Sequence, residues 1–189
     1  MTRFWWLRHA PVVASAPGIT GQLDVAADTS DPAPFTALAH RLPTGAVLVE
    51  SGWIRCRQTA EALRQAGLEL PEPELLPALA EQSFGSWQGR SWNGIDAPGF
   101  WRAPATTVPP GGESFSSVVT RVGPALLSLS RRHVGRDIVV IAHAGSIRAA
   151  LAIALGISSA AALQFAIQPL SLTRLTLIGE NWRVEMVNG

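Results

Sequence analysis

Apolar positions along the chain fall into two periodicities. Three short runs read as buried strands: Phe4–Leu7, Ala46–Glu50 (AVLVE) and Asp137–Ala142 (DIVVIA), the last opened by Gly135. Their continuous apolar character is that of strands covered on both faces. The second and third runs are followed by helical spacing, over Trp53–Gln65, closed by Gly67, and over Ser146–Leu155, closed by Gly156. A longer pattern predicts a helix over Ser114–His133, with a kink expected at Pro124. Thr173–Ile178 and Trp182–Val187 read as a terminal strand pair, and Pro98–Gly112, with its four prolines, reads as a loop.

Strands alternating with helices predict an α/β layer architecture around a mainly parallel sheet, here as a single domain over residues 1–189. Ligands in such sheets bind beyond the carboxyl ends of the strands. The first strand ends at Arg8 and His9, within RFWWLRHAPV. The second ends at Glu50-Ser51 and leads to Arg55, and the third ends at His143-Ala144-Gly145. Two histidines and two arginines are therefore expected at one rim.

Composition narrows the functions such a rim can serve. Hydrophobic residues make up 47% of the chain, enough for a core, so disorder is set aside. A net charge of +1 without charge runs argues against a general nucleic-acid or polybasic membrane binder. All fifteen basic residues are Arg, so an anion site here must use Arg, His or backbone N–H groups. Cys56 stands alone, which rules out an internal disulfide and fits a cytoplasmic setting. The apolar run before Ala14-Ser15-Ala16 is broken by Arg8-His9, too early for a signal peptide. Ala149–Ile167 is uncharged, but Gly156, Ser158, Ser159 and Gln164 divide it into two helices rather than one membrane span. No nucleic acid and no membrane is expected as a partner, and a homodimer is left open.

Each candidate has an ordinary reading beside it. Arg132-His133 repeats the Arg-His pair in a polar helix end, and His40 sits in a similar context. Arg8-His9 differs because a buried strand would hold it. His143 precedes small residues and a helix start, a place suited to an anion. Arg55 and Arg57 open a helix whose dipole opposes their charge, which makes better sense with an anion nearby. Glu81, among Leu79, Phe84 and Trp87, is a candidate proton donor. No zinc-ligand spacing, nucleophile elbow, Walker loop or dinucleotide fingerprint is present.

Taken in order, five segments resemble the motifs of the histidine phosphatase superfamily, the phosphoglycerate mutase-like fold. They are LRHAP, SGWIRCRQTAEAL, LAEQSFGSWQG, GGESFSSVVTRV and IVVIAHAGSIRAAL, and the resemblance runs from Arg3 to about Asn188, nearly the whole chain. The resemblance implies a three-layer α/β/α sandwich. It implies that His9 is a nucleophile forming a phosphohistidine, that Arg8, Arg55 and His143 surround the phosphoryl oxygens, and that Glu81 is the acid. Of the two helix-start arginines, it aligns Arg55. Gly21, Gln22 and Ala144 are the substrate-binding candidates, and Ala10 and Ala144 stand where glycines are usual. Trp92, Phe100 and Trp101 either stack a substrate ring or simply pack.

Length favours the short phosphatase branch, laid out like alpha-ribazole phosphatase. The expected activity is a phosphomonoesterase acting on a small phosphorylated metabolite such as alpha-ribazole 5'-phosphate, with no metal and no cofactor. A cofactor-dependent phosphomutase and a non-catalytic phospho-ligand module are the alternatives.

Overall fold

A computed structural model describes residues 1–13 and 18–189, so Ala14-Ser15-Ala16 falls outside the described residues. The elements are β1 Thr2–Arg8, α1 Ala33–Ala39, β2 Val47–Glu50, α2 Ile54–Gln65, β3 Glu74–Leu75, α3 Pro98–Arg102, α4 Phe115–Arg132, β4 Asp137–Ala142, α5 Ala144–Leu155, α6 Ser159–Ala162, β5 Leu172–Ile178 and β6 Asn181–Met186. The six strands form one sheet in the order β3-β2-β4-β1-β5-β6. Pairings from β3 to β1 are parallel, while β5 is antiparallel to β1 and β6 to β5. The sheet is thus mixed but mostly parallel, with the terminal strand pair forming its antiparallel edge.

Strand alternation sorts the apolar runs into two cores. Phe4 and Trp6 of β1, with Ile138, Val140 and Ala142 of β4, face α4 and α5. Trp5 and Leu7, with Leu48, Val139 and Ile141, face α1 and α2. A layer of helices on each side therefore completes the three-layer sandwich. Register between β1 and β4 is held where they begin. Asp137 accepts two hydrogen bonds from the Arg3 guanidinium, each 2.5 Å, and one from the Trp5 indole N–H at 2.9 Å.

Several boundaries differ from the sequence pattern, each for a local reason. Within the Pro98–Gly112 segment, Pro98 takes the first helical position and starts α3, where its missing N–H costs nothing. α4 runs unbroken through Pro124. Thr120, whose carbonyl loses its helical partner there, is exposed. α5 begins at Ala144, two residues before the apolar spacing suggested, because His143 and Ser146 cap it through main-chain and hydroxyl bonds. Gly156 ends α5 in the left-handed region at φ 62, and Ser158 caps α6 by accepting from the Ala161 N–H. Among the described residues no helix is long and apolar enough to cross a membrane.

Because β1, β2 and β4 are parallel, their carboxyl ends share one edge. That edge presents His9, Ser51 and His143 in the first positions after the three strands.

Candidate active site

His9 leaves β1 tied to its neighbour, its N–H donating to the Ala142 carbonyl at 2.9 Å. The ring Nδ1 lies 2.7 Å from the Ala10 carbonyl. A carbonyl only accepts, so Nδ1 carries the proton and Nε2 keeps its lone pair. His9 is 5% exposed. Burial, with Arg55 and Arg8 adding to it, pushes its pKa down to about 3 against the opposing Ala10 bond. The imidazole is neutral at physiological pH, with one bare nitrogen.

α2 holds both histidine loops. The Ala10 N–H donates to Thr59 Oγ1 at 2.9 Å, and that hydroxyl donates to the Arg55 carbonyl one turn earlier. Ser51 and Arg55 both reach His143: Oγ is 2.7 Å from Nε2, and the Arg55 Nε–H donates to Nδ1 at 3.3 Å. A guanidinium cannot accept, so Nδ1 is the acceptor and Nε2–H donates to Ser51. Burial first, then the nearby cations, lowers the His143 pKa well below its ordinary value. The two imidazoles meet edge to face with centroids 5.1 Å apart.

Arg55 is 0% exposed, and its remaining donors go to the Leu23 carbonyl (2.7 Å) and the Gly21 carbonyl (2.8 Å). Among the described residues no carboxylate pairs with it. A buried guanidinium satisfied only by neutral acceptors is a standing electrostatic cost, and an anion in the adjoining cavity would offset it. Arg8 is similar: one Nη donates to the Ile167 carbonyl at 2.6 Å, and its buried Nε has no partner.

Glu81 is gripped by main chain. Its Oε1 accepts from the Gln82 N–H at 2.9 Å and from the Gly145 N–H at 3.0 Å, at the start of α5. A Cβ on residue 145 would stand 2.1 Å from that oxygen, so any other residue there must displace the Glu81 carboxylate. Further supports were not legible as such. Arg121 donates to the carbonyls of Ala78, Ala80 and Glu81 while paired with Glu113 at 2.8 Å, and Glu113 accepts from the Ser83 N–H. Both lie in the GGESFSSVVTRV segment, which was recognised as a motif but carried no role. Ser51 and Thr59 belong to another quoted motif.

Arg8, His9, Arg55, Glu81, Gly21, Ala144 and Gly145 line one cavity of about 980 Å³. Two expected residues do not line it. His143 is 0% exposed and touches the site through Arg55 and His9. Gln22 turns its amide to the Glu81 carbonyl at 2.9 Å, and so supports the Glu81 backbone rather than meeting the cavity. Ala10, where a glycine is usual, packs into the core against α1 and α2 and does not line the cavity. Arg57 is exposed, while Arg132 and His133 both pair with Glu74 and His40 bonds its own helix. Phe84, Trp92, Phe100 and Trp101 form one wall of the cavity. Phe100 is packed edge-on to Trp87 at 5.0 Å, whereas Trp92 and Trp101 are 39% and 52% exposed. Among the described residues no cluster of three or more His, Cys, Asp or Glu side chains is placed to hold a metal ion.

The model of the histidine phosphatase superfamily, branch 1, matches residues 4–189. A metal-independent phosphoserine phosphatase of Arabidopsis thaliana is 28% identical over 160 residues, 79% of this chain and 67% of that protein. A 2,3-bisphosphoglycerate-dependent phosphoglycerate mutase of Brucella canis is 33% identical over 104 residues, 51% of this chain and only 49% of the mutase. A mycobacterial glucosyl-3-phosphoglycerate phosphatase, solved with inorganic phosphate, superposes with a TM-score of 0.81 at 28% identity, covering 99% and 97% of the two chains. The alpha-ribazole phosphatase of Shigella flexneri shares the fold, with a TM-score of 0.84 at 19% identity, covering 99% and 96%.

Proposed function

The chain belongs to the histidine phosphatase superfamily, branch 1, and from that premise we propose that it hydrolyses a small phosphomonoester through a phosphohistidine at His9. The observation that carries this is the His9 tautomer. The Ala10 carbonyl occupies Nδ1, which leaves Nε2 as a lone pair at the floor of a cavity lined by guanidinium groups. In the first step Nε2 attacks phosphorus and the ester P–O bond breaks. Glu81, in its acid form, gives its proton to the departing oxygen. In the second step a water attacks the phosphohistidine, Glu81 takes up the water's proton, and the N–P bond breaks to release phosphate. Arg8 and Arg55 offset the charge spread over the phosphoryl oxygens in both steps, as fixed donors that need no rearrangement. His143 holds Arg55 by its Nε, so its part is to orient that guanidinium.

The relatives named above act on phosphoserine and glucosyl-3-phosphoglycerate. These esters, together with alpha-ribazole 5'-phosphate, are the first metabolites to try.

The test is release of phosphate from p-nitrophenyl phosphate with a metal chelator present, followed by rapid quench with radiolabelled substrate. Chelator-resistant turnover, with label on the protein that survives base and is lost in acid, is the expected result. Turnover that chelator abolishes, or label stable in acid, would sink the reading.

Gly145→Ala should mimic loss of the acid. The added methyl displaces the Glu81 carboxylate while residue 145 keeps ordinary helical backbone. Turnover of an alkyl phosphate is expected to fall about 100-fold or more, within the usual range for a general acid. The circular-dichroism melt should stay close to that of wild type. Wild-type rates from a folded variant would show that Glu81 need not sit where Gly145 holds it.

A further inference from the structure

Arg148 lines the same cavity as His9 and Glu81, and the proposed chemistry gives it no role. It lies one turn into α5, with its Nε–H donating to the Phe165 carbonyl at 2.8 Å. Among the described residues its two Nη atoms have no hydrogen-bond partner. Two residues further on, the Ile167 carbonyl takes Arg8 Nη1. The segment after α6 thus tethers both arginines, each by one main-chain oxygen. Their orientation is fixed at one end, and the rest of the Arg148 fork is left for the cavity.

The charges in the cavity point to what that fork receives. Three guanidinium groups line it, from Arg8, Arg55 and Arg148, and Glu81 is the one carboxylate among the lining residues. Burial works against the charge of all three arginines, and Glu81 is the opposite charge that offsets it at Arg148. Both site histidines are neutral. When Glu81 carries the proton it must deliver, three positive charges face one phosphoryl dianion, and one positive charge is left over. Arg148 is that charge, because Arg8 and Arg55 flank His9.

Resting on the phosphatase reading, we propose that the substrate is a phosphomonoester bearing a carboxylate, and that Arg148 is the residue that selects it. One guanidinium fork matches one planar carboxylate, with two parallel N–H···O bonds and one unit of charge. A second phosphoryl group would bring more charge and more oxygens than this single fork meets.

The experiment compares esters that differ by the carboxylate alone. 3-Phosphoglycerate is paired with glycerol phosphate, and O-phosphoserine with O-phosphoethanolamine, and p-nitrophenyl phosphate serves as reference. For wild type, the acid member of at least one pair should exceed its neutral partner about tenfold or more in kcat/KM. In Arg148→Gln that ratio should fall about tenfold, mainly through KM, and Arg148→Lys should restore part of it. The inference is overturned if p-nitrophenyl phosphate is hydrolysed while neither acid ester is preferred. It is equally overturned if Arg148→Gln, folded by its melt, lowers acid and neutral esters alike. Failure to hydrolyse any ester, the reference included, overturns the phosphatase reading itself.

Discussion

His9→Ala is expected to leave a folded protein whose turnover of p-nitrophenyl phosphate falls by about four orders of magnitude or more, the scale on which covalent catalysts fail when the nucleophile is removed. No neighbour can replace Nε2. His143, the nearest imidazole, is fully buried, its Nδ1 engaged by Arg55 and its Nε2 by Ser51. The fold should survive because the residue sits just beyond β1. Its main-chain bond to Ala142 does not depend on the side chain, and the one side-chain bond given up goes to the adjacent Ala10. Such a bond contributes about 1 kcal/mol. Steady-state rates alongside a thermal melt check both halves. A folded His9→Ala protein that still releases phosphate at the wild-type rate would place the nucleophile elsewhere. Acidity offers a companion check. With a pKa of about 3, His9 is deprotonated throughout the range from pH 5 to 8, so its protonation should not lower kcat/KM there.

Glu81→Gln should separate substrates by their leaving groups. An alkyl oxygen departs as a strong base and needs the proton, whereas p-nitrophenolate departs without one. Loss of kcat/KM is therefore expected to be about 100- to 10,000-fold for an alkyl phosphate and less than about tenfold for the aryl ester. The substitution is geometrically mild, since the amide oxygen can still accept from Gln82 and Gly145. The comparison belongs in kcat/KM, which reports attack on the ester. In the proposed second step Glu81 also takes the water's proton, so kcat alone would mix the two steps and an aryl burst should appear in the variant. Equal losses on both esters would remove Glu81 from the acid's role.

Much of this site could be read from residue order because chemistry was placed at strand ends. Arg8-His9 and His143 each follow a continuous apolar run, and parallel pairing brings such ends together. The segment from Ser51 to Thr59 was legible as a motif, but the purpose of its spacing was not. Only the packed structure shows Ser51 on one imidazole, Thr59 on the other loop and Arg55 between them. Arg121 and Glu113 were hidden for a different reason. They act on main-chain atoms of residues 78–83, and sequence carries no mark of which carbonyl a distant side chain will find. The side of the chain on which Ala10 lies was likewise undetermined, so its methyl could not be assigned to core rather than pocket. Short elements such as β3 and α3 escaped because two to five residues hold no period.

The place of β1 in the sheet bears on how the chain acquires activity at all. Thr2–Arg8 is sandwiched between β4 and β5, with Arg3 registered against Asp137 on one side and Trp5 against Arg174 on the other. Both neighbours lie more than a hundred residues downstream, so the ladder closes the longest loops in the fold and comes at a high entropic cost. A ribosome releases Phe-Trp-Trp-Leu long before either neighbour exists, and that strand must wait, apolar and unpaired, while more than a hundred further residues are made. This is a stretch for a holdase chaperone to cover, and its sticking to other chains is a hazard in refolding at high concentration. Because His9 rides on the end of this strand, the rim cannot form before β4 and β5 are made, and a chain stalled before them carries His9 without the groups that surround it.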